Sequence, residues 1–369
     1  MSRNPNRSTT RRVRAALSTA VAVCAVTVVV PGAASARSME VAAEVGAAGV
    51  ERISVATDGT QGDDNSTGAS ISTDAGRIVF QSLAKNLVSG ATTVGARVFI
   101  HDQGTGQTQR MGAWSPLQPP VISGNGEYLA YPLQWYNDSR VRQVQVKSGS
   151  EISSMCWYSC NQLSLSADGR YLANVVRYKQ SPPRQTIDVE DIGANTRKTI
   201  AEFGHTLSAW PSISGDGRYV AYQDGKAEDV LVWDRTSGTT SDPIEGPSKA
   251  ATIVQLSEDG SKVVYISGSD TYVHDLSSGT DQLVPNARGV AIDPTGRHLL
   301  YAPGDTSGPS LVLRDLQTGT DEIVSNQPAS AGTDAVSAGG RDVVFQSTAD
   351  DIVPGDTNGK SDVFVRHFD

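Results

Sequence analysis

The stretch Ile213-Ser214-Gly215-Asp216-Gly217-Arg218-Tyr219-Val220-Ala221-Tyr222 reads as the end of one strand, a tight turn and the start of a second strand. Glycine after aspartate accepts the positive φ such a turn needs, and aromatic and β-branched residues after it favour an extended chain. Working outward, residues 211–214 form a short inner strand A, 218–223 strand B and 229–235 strand C, and Ser237-Gly238 turns the chain into strand D. Strands B and C carry apolar residues on both faces, the pattern of a sheet covered on both sides.

The same signal recurs along the chain. It reads Ile71-Ser-Thr-Asp-Ala-Gly-Arg77, Ile122-Ser-Gly-Asn-Gly-Glu127, Leu165-Ser-Ala-Asp-Gly-Arg170, Leu256-Ser-Glu-Asp-Gly-Ser261, Ile292-Asp-Pro-Thr-Gly-Arg297 and Val336-Ser-Ala-Gly-Gly-Arg341. With the first stretch these make seven copies, 36 to 51 residues apart, the length of a four-stranded propeller blade. The expected fold is all-β, a seven-bladed β-propeller of four-stranded blades. After the seventh copy the chain supplies strands at 342–346 and 362–368 and then ends, one outer strand short. Residues 50–56 have strand character and are expected to pair beside 362–368, closing the ring and hiding two sheet edges. The propeller thus spans 50–369.

The apolar-Ser-x-Asp-Gly-Arg-Tyr pattern, joined to a strand C that ends in Asp-x-x-Ser/Thr-Gly at 102–106, 234–238, 275–279 and 315–319, resembles the TolB-type, WD40-like (PD40) repeats of bacterial exported propellers. The resemblance covers residues 50–369. It implies the fold and leaves the role open, since such repeats serve binding, translocation and peptidase-associated functions alike.

Before the propeller, Arg3, Arg7, Arg11, Arg12 and Arg14 precede an Ala/Val-rich run to Val30 and then Ala34-Ser35-Ala36. This is the order of a signal peptide, residues 1–36, with 37–49 as a flexible leader. The expected product is secreted or extracytoplasmic; the Arg11-Arg12 pair matches a twin-arginine signal in part and leaves the route open. The apolar run falls short of the roughly 20 residues of a membrane span, so no membrane insertion is expected. Cleavage removes five arginines and no acid, taking the formal charge from −9 to −14. Such a surface repels phosphate backbones and argues against nucleic acid and anionic membranes as partners. Cys156 and Cys160 then remain, an even count that predicts a disulfide in an oxidising compartment.

Strand order puts the A–B and C–D turns, short and uniform, on one face. The D–A and B–C loops, variable in length, share the other, where binding residues usually reside. Candidate ligand-binding residues there are Trp114, Trp135, Tyr136, Trp157, Tyr158, Tyr178, His205 and Trp210, whose rings suit stacking on sugars or covering apolar side chains of a partner. Motifs of enzyme chemistry are missing: no G-x-S-x-G, H-E-x-x-H, Walker loop or paired Cys-x-x-Cys occurs. Only His205 of five histidines falls on the variable face, which argues against a multi-histidine metal centre of the propeller lyase type.

The segment Asp356-Thr-Asn358-Gly-Lys-Ser-Asp362 resembles a short calcium loop, D-x-N-G-x-x-D, and ring closure brings Asp63 and Asp64 to the same face. Ca²⁺ is therefore the one candidate ion, and no organic cofactor is expected. The blade 1 counterpart, with Ala91, Thr93 and Arg97 at these places, shows that the loop length does not require the acids. These features together predict a monomeric, non-catalytic scaffold that binds a protein, peptide or glycan on its variable face. The alternative is an extracellular carbohydrate-active or other hydrolytic propeller using carboxylates of that face.

Overall fold

The computed structural model describes residues 49–90, 95–156, 159–182, 184–204, 209–225 and 228–368. The expected signal peptide and all but the last residue of the leader lie outside them. The remainder forms seven four-stranded antiparallel sheets, each built from consecutive strands except the last. Blade 4, for instance, runs Ser212–Ile213, Tyr219–Asp224, Asp229–Asp234 and Thr239–Thr240 from inside to outside. Blade 7 runs Ala329–Ser330, Asp342–Ser347 and Asp362–His367, and its outer strand is Val50–Arg52 from the other end of the chain. The register sets Val50 opposite Arg366 and Arg52 opposite Phe364, so the ring closes as the sequence predicts.

The repeated serine and aspartate are explained at each A–B turn. In blade 4 the Ser214 hydroxyl donates to Asp216 Oδ1 (2.6 Å) and accepts the Tyr219 amide (2.9 Å), while Asp216 Oδ1 accepts the Arg218 amide (2.8 Å). Blades 1, 2, 3 and 5 repeat this with Ser72, Ser123, Ser166 and Ser257. In blade 6 Asp293 replaces the serine and accepts the Arg297 and His298 amides itself, both at 2.7 Å.

Turns fixed in one shape present the same backbone groups to their neighbours. Thr73 donates to Gly124 O, Asn125 to Ala167 O, Ala167 to Gly215 O, Gly215 to Glu258 O and Asp259 to Pro294 O, at 2.6 to 2.9 Å. Pro294 has no N–H to pass on. There the direction reverses, and the Gly339 amide of blade 7 donates to the Asp293 carboxylate at 3.0 Å. Ala338 then donates to Thr73 O (2.9 Å), completing a circle of hydrogen bonds around the axis.

On the outer side, in five blades the Asp that opens the C–D turn takes the cation at the head of strand B. The pairs are Arg77–Asp102, Arg170–Asp191, Arg218–Asp234, Lys262–Asp275 and Arg297–Asp315. The cores are wedges between adjacent sheets, as apolar residues on both strand faces require. Ile100, Leu129 and Tyr131 fill the gap between blades 1 and 2, and Val232, Ile253 and Tyr265 that between blades 4 and 5. At the closure, Val50 and Ile53 pack with Phe80, Phe99, Phe345 and Phe364.

A polar latch finishes the closure. The Arg52 guanidinium lies 3.3 Å from Asp356 Oδ2 and 3.6 Å from Asp362 Oδ2, with all three side chains nearly inaccessible. Gln61 Nε2 donates to both carboxylates at 2.8 Å, and the Ser54 hydroxyl donates to Asp362 Oδ1 at 2.6 Å. Burial raises the Asp362 carboxyl above the ordinary range in spite of these donors. Replacing Arg52 by Ala leaves two enclosed carboxylates without their cation, and the unfolding free energy should fall by about 3–5 kcal/mol. Urea unfolding near neutral pH measures this, and the loss should shrink in acid as the carboxyls protonate.

Candidate binding site

The apolar residue that opens each of the seven repeats sits at the same height in its blade. Ile71, Ile122, Leu165, Ile213, Leu256, Ile292 and Val336 therefore converge on the axis and narrow it to a passage of about 40 Å³. Toward the face of the D–A and B–C loops the passage widens into a cavity of about 350 Å³. Its wall comes from the starts of inner strands: Gly68 to Ser70 of blade 1, Pro119 and Pro120 of blade 2, Gln162 and Leu163 of blade 3, Trp210 and Pro211 of blade 4, and Gly332 to Asp334 of blade 7.

Three residues of this wall hold a left-handed backbone that side chains other than glycine rarely adopt: Gln162 (φ 54°), Trp210 (φ 39°) and Asp334 (φ 57°). Neighbouring blades keep them there. Gln162 Oε1 accepts the amides of Ala209 (3.2 Å) and Trp210 (3.0 Å), and the Gln162 amide donates to Gln118 Oε1 (2.8 Å). A relay of amide side chains thus runs from blade 2 through blade 3 to the tryptophan of blade 4. Across the axis, buried Gln255 of blade 5 donates through Nε2 to Asp334 Oδ1 (2.7 Å) and accepts the Ile292 amide of blade 6 (3.1 Å).

Asp334 lines both the cavity and the passage beneath it. It is half-buried, and part of its remaining surface forms the cavity wall. Burial, and then the nearby charge of Glu258, push its carboxyl up to about 6. Glu258 also lines the passage; it accepts the Thr73 hydroxyl at 2.6 Å and is itself raised by burial.

The aromatic candidates divide into groups. Trp114, Trp135 and Tyr136 come together, with ring centroids 5.1 Å apart for Trp114–Trp135 and 5.6 Å for Trp135–Tyr136. The Arg140 guanidinium lies over Trp135 at 4.5 Å, and Tyr136, at the tip of its turn with φ 52°, is 87% exposed. Trp210 is in the axial cavity instead, half exposed. Tyr178 packs beside the cysteine pair with the Arg184 guanidinium over its ring at 4.6 Å. Trp157, Tyr158 and His205 lie outside the described residues. Cys156 ends the outer strand of blade 2 and Cys160 lies in the inner strand of blade 3; their Cα atoms are 5.5 Å apart and the sulfurs are bonded.

The calcium expectation does not fit the donors found. Asp356, Asn358 and Asp362 do gather, but the carboxylates face the Arg52 guanidinium and the Gln61 amide. Asn358 donates to Gly62 O (2.8 Å) and its carbonyl oxygen accepts the Lys360 amide (2.7 Å). Asp63 turns to the Lys85 amide and Asp64 to Lys360. Among the described residues no group of three or more His, Cys, Asp or Glu side chains is placed to hold a metal ion. His101 bonds Thr108, His274 Asp281 and His367 Asp342, while His298 lies beside Asp293, so none of these four reaches the cavity.

Asp334, Gln162 and Gln255 were missed by the search for aromatic loops and metal-type motifs. For Asp334 a signal existed. Two residues before the apolar residue of each repeat stand Ala69, Pro120, Leu163, Pro211, Val254, Val290 and Asp334, one acid in a ring otherwise without charge.

No family model matches the chain, and no curated protein matches it in sequence. Solved structures do resemble it. An oligogalacturonate lyase in complex with manganese gives a TM-score of 0.65 over 88% of this chain and 95% of its own, at 12% identity. An oligogalacturonate lyase from Vibrio parahaemolyticus gives 0.64 over 86% and 93%, also at 12% identity. At such identity the likeness establishes the propeller fold alone.

The state of Asp334 has a consequence for stability. Between its ordinary value of 3.8 and about 6 the folded chain keeps a proton that the unfolded chain has released, so stability falls as pH rises through that window. Asp334→Asn, which retains an acceptor for Gln255, should raise the melting temperature at about pH 7.5 by roughly 2–4 °C. The gain should vanish near pH 4, and thermal unfolding at both pH values checks it.

Proposed function

We propose that this chain is an exported binding propeller, akin to TolB-type, WD40-like repeat proteins, that takes a protein, peptide or glycan on its D–A and B–C face without chemically changing it. The observation that carries the reading is the axial cavity on that face. Prolines, amide side chains and one tryptophan form much of its wall, with a single carboxylate and no histidine among its described residues. A concave, mostly apolar pocket with a few placed polar groups is what ligand recognition requires, whereas acid–base catalysis requires convergent titrating groups. Strain supports the same location. Of nine non-glycine residues with positive φ among the described residues, three line this cavity and a fourth, Tyr136, tips the aromatic cluster of the same face. Such backbone is held mainly where a surface has a use for it.

A second reading, a carbohydrate-active enzyme, is favoured by the likeness to oligogalacturonate lyases and by the two raised carboxyls, Asp334 and Glu258, on the axis. It lacks a metal-binding group or a histidine to accompany them among the described residues.

The two readings part in one experiment. The mature chain is titrated with capped peptides and with oligogalacturonides, following tryptophan fluorescence and analysing the mixtures for products. Binding predicts a saturable change with every ligand recovered intact, and Trp210→Ala or Trp135→Ala should weaken the affinity about 30-fold or more, as loss of an aromatic anchor does. Time-dependent cleavage of the oligosaccharide that Asp334→Asn abolishes would establish the enzyme instead.

A further inference from the structure

We propose that the axial cavity is a receptor for a single cationic side chain, the ammonium of a lysine or the guanidinium of an arginine presented by a peptide, with Asp334 as its counter-ion. The inference deepens the binding reading above and rests on it.

The argument begins with charge. Asp334 is the only ionisable residue in the cavity wall as described, and none of the other wall residues is basic. Among the described residues its carboxylate has one hydrogen-bond partner, Gln255, which donates a neutral hydrogen bond to Oδ1. At the closure, by contrast, Arg52 brings a cation to Asp356 and Asp362. Asp334 has no such cation among the described residues. An enclosed carboxylate in this condition is unfavourable, and an incoming ammonium or guanidinium relieves it with a charge-assisted hydrogen bond.

Shape agrees. A volume of about 350 Å³ suits one side chain and its flanking backbone rather than a folded domain. Trp210, Pro119 and Pro120 share the cavity wall with Asp334 and offer surfaces on which the methylene stem of Lys or Arg packs while its head reaches the acid. Trp210 also offers a ring face to a cation, and its position is fixed by the Gln162 carbonyl oxygen. The chain's formal charge of −9 adds a long-range attraction for basic segments.

The test uses alanine-flanked tripeptides, capped at both ends and centred on Lys, Arg, norleucine or Glu, titrated into the mature chain with Trp210 fluorescence and calorimetry as readouts. The Lys and Arg peptides should bind about tenfold or more tightly than norleucine, and Asp334→Asn should erase that preference. Binding of the basic peptides should weaken as pH drops below about 6, where Asp334 takes up a proton; Glu258 is the other ionisable group near it. The norleucine peptide should show no such pH dependence. If all four peptides bind alike in wild type and in Asp334→Asn, the cation receptor is refuted while peptide binding at this face stands. If none binds, the receptor is refuted as well, and the wider reading is then decided by the larger ligands and the Trp135 variant.

Discussion

In five blades a serine hydroxyl at the end of the inner strand both donates to an Asp or Asn two residues on and accepts an amide five residues on, and most of the architecture follows from that double contact. It forces the A–B turn into one shape in five blades, with Asp293 standing in for the pair in blade 6. Similar turns expose the same C=O group and an N–H one or two residues after the serine sideways, so neighbouring blades bond to one another around the axis. The ring then holds seven inner strands at one height. The apolar residues at their ends meet as a constriction, and whatever precedes them in sequence becomes the wall of the cavity above. The location of the candidate site is thus a consequence of turn chemistry far from it in function.

The reversal at Pro294 illustrates how strict the constraint is. A proline there removes the N–H that the turns of blades 1, 3 and 4 donate, and the circle would open at that point. It stays closed because the residue before the proline is Asp293, whose second oxygen accepts Gly339 from the next blade. Sequence and geometry vary together at this turn, and the repeat departs from Ser-x-Asp-Gly there for an identifiable reason.

The fold was legible because a propeller repeats in sequence what it repeats in space; seven copies of one turn fix the blade number, and a missing outer strand at one end with a spare strand at the other fixes the closure. The face of the variable loops was legible too, since loop length varies on that side, and Trp114, Trp135 and Tyr136 meet there as neighbours in adjacent connections. What stayed hidden depends on partners distant in sequence. The D-x-N-G-x-x-D segment looks like a calcium loop until Arg52, about three hundred residues earlier, is delivered beside it by the closing strand. Trp210 follows the variable loops in sequence yet belongs to the axis, because Gln162 of the preceding blade bends its backbone inward. Asp334 draws attention only when the repeats are aligned on their apolar residue.

The carboxylates of Asp362, buried, and Asp334, half-buried, have opposite surroundings, and the contrast bears on which of them has a role beyond folding. Asp362 is enclosed, but a guanidinium, an amide and a hydroxyl all address it. Its surroundings are those of a structural acid, neutralised within the fold. Asp334 is half-buried with one side-chain amide on its carboxylate, on a left-handed backbone, at a position where the six other blades place Ala, Pro, Leu or Val. Charge, burial and backbone conformation there all oppose folding. Local features that oppose the fold without compensation are expected where a protein meets something outside itself. The missing compensation at Asp334 has a definite chemical form, a positive charge at the end of a slim apolar stem, and the cavity beside it is open on the face where a partner's side chain would arrive.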